Sequence, residues 1–156
     1  SIPYPNYKIF GKNVQLTGKS LLSALESEQD WTTVFGSQSH HEITMYYPMR
    51  SIQNMQFLLI HNLNFKPFPI DQDFYVSPTF QDLLNRTISG QPTSWFKTLH
   101  KYYYRDRWEL YDRSGDLIEY KNVVDPAYQE ILKSMQNMLQ KWQSETFDPW
   151  ICAPDG

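Results

Sequence analysis

The strongest hydrophobic period in this chain lies near its C-terminal end. Asp125 and Pro126 form a typical helix start, because an aspartate side chain caps the first turn and proline fits the first helical position. The apolar residues that follow recur at the 3.6-residue spacing of one helix face. This pattern predicts an amphipathic helix that packs on a core, and not a cofactor site, through Ile131, Leu132, Met135, Met138, Leu139 and Trp142.

Four short segments rich in β-branched and aromatic residues predict strands. They cover residues 32–36, 43–52, 57–63 and 107–112. The connection over residues 53–56 is short enough for a hairpin. Pro48 lies inside the second segment. Because proline cannot donate to a strand ladder, we expect this segment to be an edge or bulged strand and not a central one.

Further helices and loops complete the expected order of elements. Ser77 and Pro78 are a cap and first-turn pair for a helix that ends before residues 90–92, which are Gly-Gln-Pro. This helix is expected to bury Phe80, Leu83 and Leu84. Shorter helices are expected over residues 17–25 and 95–104, an extended lead-in over 1–15, and a loop over 66–76.

Length and composition limit the class of protein. The 156 residues correspond to one domain, and the formal net charge of -3 argues against a general nucleic-acid binder. No apolar run approaches the roughly 18 residues that suggest a membrane span. Aromatic residues are abundant (9 Phe, 5 Trp and 11 Tyr) while aliphatic residues are few, so we expect the core to rely partly on a surface supplied from elsewhere. The start at Ser1, without a leader-like stretch, favours a fragment.

His40, His41 and Glu42 are the first candidate site. Adjacent side chains on an extended segment face opposite sides, so the two histidines are poorly placed to share one metal. Two interpretations stay open: a solvated polar loop, or a substrate-facing loop at the end of a buried strand over residues 32–36. In the second, one imidazole donates a hydrogen bond to an anionic substrate while the other packs inward. Glu42 then orients a histidine or pairs with a base such as Arg50.

Residues 97–108 form a basic, aromatic-rich segment. Lysines and arginines surround three tyrosines and a tryptophan there, at Lys97, Lys101, Tyr102, Tyr103, Tyr104, Arg105, Arg107 and Trp108. Such a patch can bind an anionic chain by charge and stacking. The interpretation we favour is that the aromatic rings belong to the core and the charges are solvated.

Two single residues carry possible modifications. Asn85-Arg86-Thr87 matches the N-glycosylation sequon, and Asn85 is expected on the helix side opposite the apolar stripe. Cys152 is the single cysteine, so the chain alone cannot form an internal disulfide.

Several segments together resemble the type I sulfatase family. They are residues 34–42 (Val-Phe-Gly-Ser-Gln-Ser-His-His-Glu), 47–50 (Tyr-Pro-Met-Arg), 61–65 (His-Asn-Leu-Asn-Phe) and 109–112 (Glu-Leu-Tyr-Asp), followed by the terminal helix. Residues 68–75, 77–87 and 148–156 narrow the resemblance to the branch that hydrolyses the N-linked sulfate of glucosamine in heparan sulfate. The resemblance covers essentially the whole chain and corresponds to the C-terminal third of such an enzyme.

The resemblance implies an α+β chain that forms the C-terminal part of the α/β, alkaline-phosphatase-like sulfatase fold, with a small antiparallel sheet packed by helices. It implies that residues 1–42 trail from the large sulfatase domain and that 43–156 form the C-terminal subdomain. The missing N-terminal domain is then the main partner. The oligomeric state stays open, with a homodimer as one option.

The resemblance also implies where the chemistry lies. The formylglycine, made from the cysteine of a C-x-P-S-R motif, and the calcium belong to the missing N-terminal part of a lysosomal hydrolase. Cys152-Ala153-Pro154 matches only the first three positions of that motif, so this chain is expected to hold no catalytic residue and no metal ligand. Cys152 is implied to be half of a disulfide whose partner lies beyond residue 156. The alternative is a non-catalytic glycan-binding or interaction module.

Overall fold

A computed structural model describes residues 6–14, 18, 22, 33–64, 67–95, 97–115 and 126–152. The chain divides into two compact units, residues 1–31 and 32–156. The predicted helix over residues 17–25 and the aspartate cap at residue 125 fall outside the described residues, apart from Gly18 and Leu22.

The first unit contains a small antiparallel hairpin. Strand β1 (Tyr7–Ile9) pairs with strand β2 (Lys12–Val14), with Ile9 opposite Lys12. The two linking residues, Phe10 and Gly11, both have positive φ, at 49° and 76°. Positive φ at both central positions is the geometry of the type I′ turn, which matches the twist of paired strands. The expected extended lead-in is therefore a hairpin.

The second unit is built on one four-stranded antiparallel sheet, in the order β3-β4-β5-β6. The strands are β3 (Val34–His40), β4 (Tyr46–Gln53), β5 (Phe57–Asn62) and β6 (Trp108–Asp112). All four predicted strands are confirmed, as is the tight connection between β4 and β5. There the Asn54 side chain accepts from the backbone N–H groups of Gln56 and Phe57.

The position of Pro48 confirms the expected bulge and corrects the expectation that the strand is not a central one. Strand β4 is an inner strand between β3 and β5, not an edge strand. The ladder tolerates proline because the strand is bulged there. Gln38 pairs with Met49 and His40 with Tyr46, so Tyr47 and Pro48 together lie opposite the single residue Ser39. Proline needs no N–H partner at a bulge, and its carbonyl still accepts from the Leu63 N–H at 3.0 Å.

The predicted long helix covers one face of the sheet. A 3₁₀ turn (Pro126–Tyr128) leads into helix α4 (Gln129–Glu145). The central core joins both elements through Ile52, Leu59, Leu110, Met135 and Leu139, with Phe35, Phe57, Trp108, Tyr128, Ile131, Leu132 and Trp142 packed around it. Phe35 and Trp142 stack with ring centroids 5.1 Å apart. The helical stripe is therefore packing, as its spacing predicts, except at Met138, which is 41% exposed.

Three shorter helices occupy the connection between β5 and β6. They are α1 (Gln72–Val76), α2 (Pro78–Ile88) and α3 (Leu99–Tyr103). Ser77 ends α1 and caps α2: its hydroxyl donates to the Phe74 carbonyl and accepts from the Phe80 N–H. Helices α2 and α3 confirm two predictions, whereas α1 replaces part of the expected loop over residues 66–76.

No helix within the described residues is long and apolar enough to cross a membrane.

Candidate functional site

His40, His41 and Glu42 lie at the tip of the β3–β4 hairpin. His40 is the last residue of β3 and pairs with Tyr46, immediately after the bulge. His41 and Glu42 begin the turn, whose return is fixed by a 2.9 Å hydrogen bond from the Met45 N–H to the Glu42 carbonyl. All three side chains are exposed.

Two of the structural expectations for this tip are wrong. Strand β3 is not a buried strand: it lies at an edge of the sheet, and Val34 is 64% exposed. Neither His40 nor His41 packs inward, because both imidazoles are exposed in this chain. Contact of the tip with a substrate stays a prediction. The predicted domain boundary between residues 42 and 43 falls in this turn, and the assignment of the two parts within a longer protein also stays a prediction.

Arg50 pairs with a residue other than Glu42. Its guanidinium forms a bidentate ion pair with Asp148, from Nε to Oδ2 at 2.6 Å and from Nη2 to Oδ1 at 2.8 Å. The two side chains are only 4% and 5% exposed. The remaining nitrogen, Nη1, donates to the carbonyl oxygens of Met49 at 2.8 Å and Gln38 at 3.2 Å. Arg50 therefore links β4 to β3 and to the segment after α4.

Asp148 has three hydrogen-bond donors around its carboxylate. Burial alone would raise its pKa. Hydrogen bonds from Arg50, from the Trp150 N–H and from the Gln143 side chain outweigh burial and bring the pKa below its ordinary 3.8. The carboxylate thus stays charged beside Arg50 in moderately acidic solution.

Trp150 completes this arrangement on the hairpin side. Its ring centroid lies 5.1 Å from the Arg50 guanidinium carbon, and its indole N–H donates to the Tyr46 hydroxyl at 2.8 Å. We call Tyr46, Arg50, Asp148 and Trp150 the Arg50 cluster. Sequence reasoning missed it, because a pattern does not show which charges are buried. Residues 148–150 entered the sequence analysis only as part of the family resemblance over 148–156.

A second buried carboxylate, Glu109, lies on the opposite face of the sheet. Strand alternation places Arg50 and His61 on one face and Asn62 and Glu109 on the other. Glu109 accepts from the Asn62 amide at 2.6 Å and from the Tyr111 hydroxyl. Arg105 lies at the edge of this group, with Nη1 3.5 Å from a Glu109 oxygen. Both carboxylate oxygens of Glu109 accept hydrogen bonds, so we assign Glu109 a role in stabilising the fold.

The basic, aromatic segment is largely packing, as favoured above. The Tyr102 ring lies between those of Phe68, Phe74 and Trp95, and burial raises its pKa above 10.0. The Arg105 guanidinium carbon lies 4.7 Å from the Phe68 ring centroid. Lys101, Tyr104 and Arg107 are exposed.

The remaining predicted positions are accessible. Asn85 is exposed on the outer side of α2, and Cys152 is a free, exposed cysteine in this chain. Across the described ranges, no three His, Cys, Asp or Glu side chains come together in a way that could hold a metal ion.

Comparison of the sequence with known proteins indicates the class of protein to which the chain is similar. No family model matches the chain. The chain is nevertheless similar, over its whole length, to a sulphohydrolase, which confirms the resemblance to the sulfatases predicted from the sequence. The relative is human N-sulphoglucosamine sulphohydrolase, with 67% identity over 159 aligned residues. The alignment covers 100% of this chain but only 32% of the human protein, so the chain spans about a third of its relative.

Proposed function

We propose that the longer protein represented by this chain is a lysosomal hydrolase that removes the N-linked sulfate from glucosamine during heparan sulfate degradation. The observation that carries the proposal is the 67% identity to N-sulphoglucosamine sulphohydrolase over every residue of the chain. This chain then forms the C-terminal part of a sulfatase fold. The formylglycine nucleophile and the calcium ion belong to the part of the longer protein outside this chain.

Within that enzyme, we propose that the β3–β4 hairpin tip contributes to the rim of the substrate cleft. His40 and His41 are exposed at the tip, and two imidazoles there suit a sulfated sugar because each can donate a hydrogen bond to a sulfate oxygen. The exposed Glu42 carboxylate would repel a sulfate, which gives it a role in orienting an imidazole.

The test of the activity compares the longer protein with the 156-residue chain. We expect the longer protein to release sulfate from an N-sulfated glucosamine substrate. The chain alone is expected to release none, because Cys152 is followed by Ala-Pro-Asp and not by the rest of a formylglycine motif. Turnover by the isolated chain would overturn this assignment of the chemistry. Glycan binding by the longer protein without turnover would favour the alternative, a non-catalytic module.

The test of the hairpin tip uses single alanine substitutions in the longer protein. Replacing His40 or His41 is expected to raise KM if the imidazole binds substrate and transition state equally. Lys133→Ala, at an exposed position on α4, is the control for a surface substitution. If both histidine variants retain the kinetics of the parent enzyme, the tip is a solvated loop.

A further inference from the structure

The Arg50 cluster lies directly behind the hairpin tip. Tyr46 is the strand partner of His40, and Arg50 donates to the carbonyl of Gln38, the last paired residue before the bulge. Gln38 and His40, the two β3 residues that flank Ser39 opposite the bulge, are therefore both tied to the cluster. The rest of the tip, over residues 41–44, is exposed.

The contacts of the Arg50 cluster connect β4, the segment after α4 and β3 in a continuous series. The Tyr46 hydroxyl accepts from the Trp150 indole, the Trp150 ring lies against Arg50, and Arg50 reaches back to β3 through the Gln38 carbonyl. The Asp148 carboxylate fixes two further nitrogens of the same guanidinium. A planar guanidinium that uses all three nitrogens has little rotational freedom, so it defines the local path of both strands.

The Arg50 cluster acts on the bulge. A β-bulge increases the local twist and changes the direction of the side chains beyond it. Here the extra residue lies in β4, where Tyr47 and Pro48 face the single residue Ser39, so the geometry at Gln38 and Tyr46 sets the backbone path that leads into His40. The bulged residues Tyr47 and Pro48 are themselves buried, with the Tyr47 ring against Phe68 and the Pro48 carbonyl accepting from the Leu63 N–H. The Arg50 cluster adds contacts at the two positions next to them, Gln38 and Tyr46.

We propose that Tyr46, Arg50 and Trp150 are positioning residues, which set the direction of the His40 side chain toward the substrate by fixing the bulge. This proposal rests on the role proposed above for His40. It gives the segment after α4 a function in substrate binding, although none of these three residues needs to contact the sugar.

Conservative variants of the longer protein test the proposal without removing the buried ion pair. Tyr46→Phe removes only the hydroxyl, and Trp150→Phe keeps an aromatic ring beside Arg50 while removing the indole N–H. Each is expected to raise KM about fivefold, the size of one ordinary hydrogen bond, with kcat changed less than twofold. The double variant is expected to be no worse than either single variant, because all three lack the same hydrogen bond.

The matched control is Tyr104→Phe, which removes a hydroxyl from another half-exposed tyrosine, at the end of α3. It is expected to leave KM and the melting temperature unchanged. The second readout is hydrogen–deuterium exchange of the peptide covering residues 38–46. Exchange is expected to rise in Tyr46→Phe and Trp150→Phe and to stay at the parent level in Tyr104→Phe.

The outcomes separate this proposal from the one it rests on. If His40→Ala raises KM while Tyr46→Phe and Trp150→Phe do not, the positioning role is wrong and the role of His40 stands. If His40→Ala changes nothing, the substrate role of His40 fails, whatever His41→Ala does. Hydrogen–deuterium exchange alone then decides whether the Arg50 cluster fixes the bulge. Faster exchange in the two variants supports this, and unchanged exchange overturns it.

Discussion

Replacing Asp148 by asparagine removes one charge of the buried ion pair and leaves the other in place. Both side chains are about 95% buried, and the two Arg50–Asp148 hydrogen bonds measure 2.6 and 2.8 Å. The asparagine still accepts one hydrogen bond, but the Arg50 charge then faces only carbonyl oxygens. Removing one partner of a buried pair destabilises a protein by about 3–5 kcal/mol, because the remaining charge is desolvated without compensation.

The control is the same substitution in an exposed pair. Asp82 accepts from Arg86 at 2.8 Å on α2, with side chains 62% and 44% exposed. An exposed pair contributes at most about 1 kcal/mol, so Asp82→Asn is expected to change stability little. The substitution and the shortest distance are nearly the same in the two pairs, which differ in burial and in the further hydrogen bonds that Asp148 accepts.

The assay is urea unfolding of the longer protein, followed by tryptophan fluorescence. With a slope of about 1–3 kcal/mol per molar urea, Asp148→Asn is expected to lower the midpoint by at least about 1 M. Replacing both partners by apolar residues, as Arg50→Met with Asp148→Leu, is expected to recover much of the loss, because no buried charge remains. Equal midpoints for Asp148→Asn and Asp82→Asn would refute the reasoning.

Three further predictions follow from burial and from the lowered pKa of Asp148. Because the pKa of Asp148 is below 3.8 in the folded protein, the stability that Asp148 contributes is complete above pH 3.8 and decreases as the pH falls through the lowered pKa. Urea midpoints that fall equally with pH in the parent and in Asp148→Asn would contradict this. Leu139→Ala is expected to lose about 2–5 kcal/mol in urea titration, since Leu139 is fully buried, whereas Met138→Ala, at a 41% exposed position, loses far less. Asn85 is expected to carry an N-glycan when the longer protein is secreted from animal cells, seen as a mass shift on glycosidase treatment that Asn85→Gln abolishes.

The parts of the fold that the sequence predicted are those with a repeating local signal. Helix α4 has a regular apolar period over 17 residues, and the Ser77-Pro78 pair marks the start of α2 with a cap that the structure uses. Helix α1 was not predicted because its five residues show no period and follow a segment rich in Pro and Asp, which indicates a loop. Pro48 indicated the bulge in β4, but the inner position of the strand was missed because its pairing partners lie elsewhere in the chain.

The residues of the candidate site could be chosen from the sequence, but the side chains that surround them could not. The chemistry of His40 and Glu42 is evident from residue type alone. The partner of Arg50 is not, because Asp148 lies 98 residues further along the chain and only the tertiary structure brings the two together. Strand pairing likewise depends on distant residues, so the sequence could not show that both imidazoles at the tip are exposed.

That separation of 98 residues has a consequence for synthesis of the protein. At about 5–20 residues per second, a ribosome needs roughly 5–20 seconds after adding Arg50 before it adds Asp148. Strands β3 to β6 can all emerge in that interval, but a sheet that closed over Arg50 would bury its charge without a partner. The nascent sheet must therefore keep this face open to water until the last segment arrives. A chain that ended before residue 148 would therefore leave the Arg50 guanidinium without its carboxylate partner.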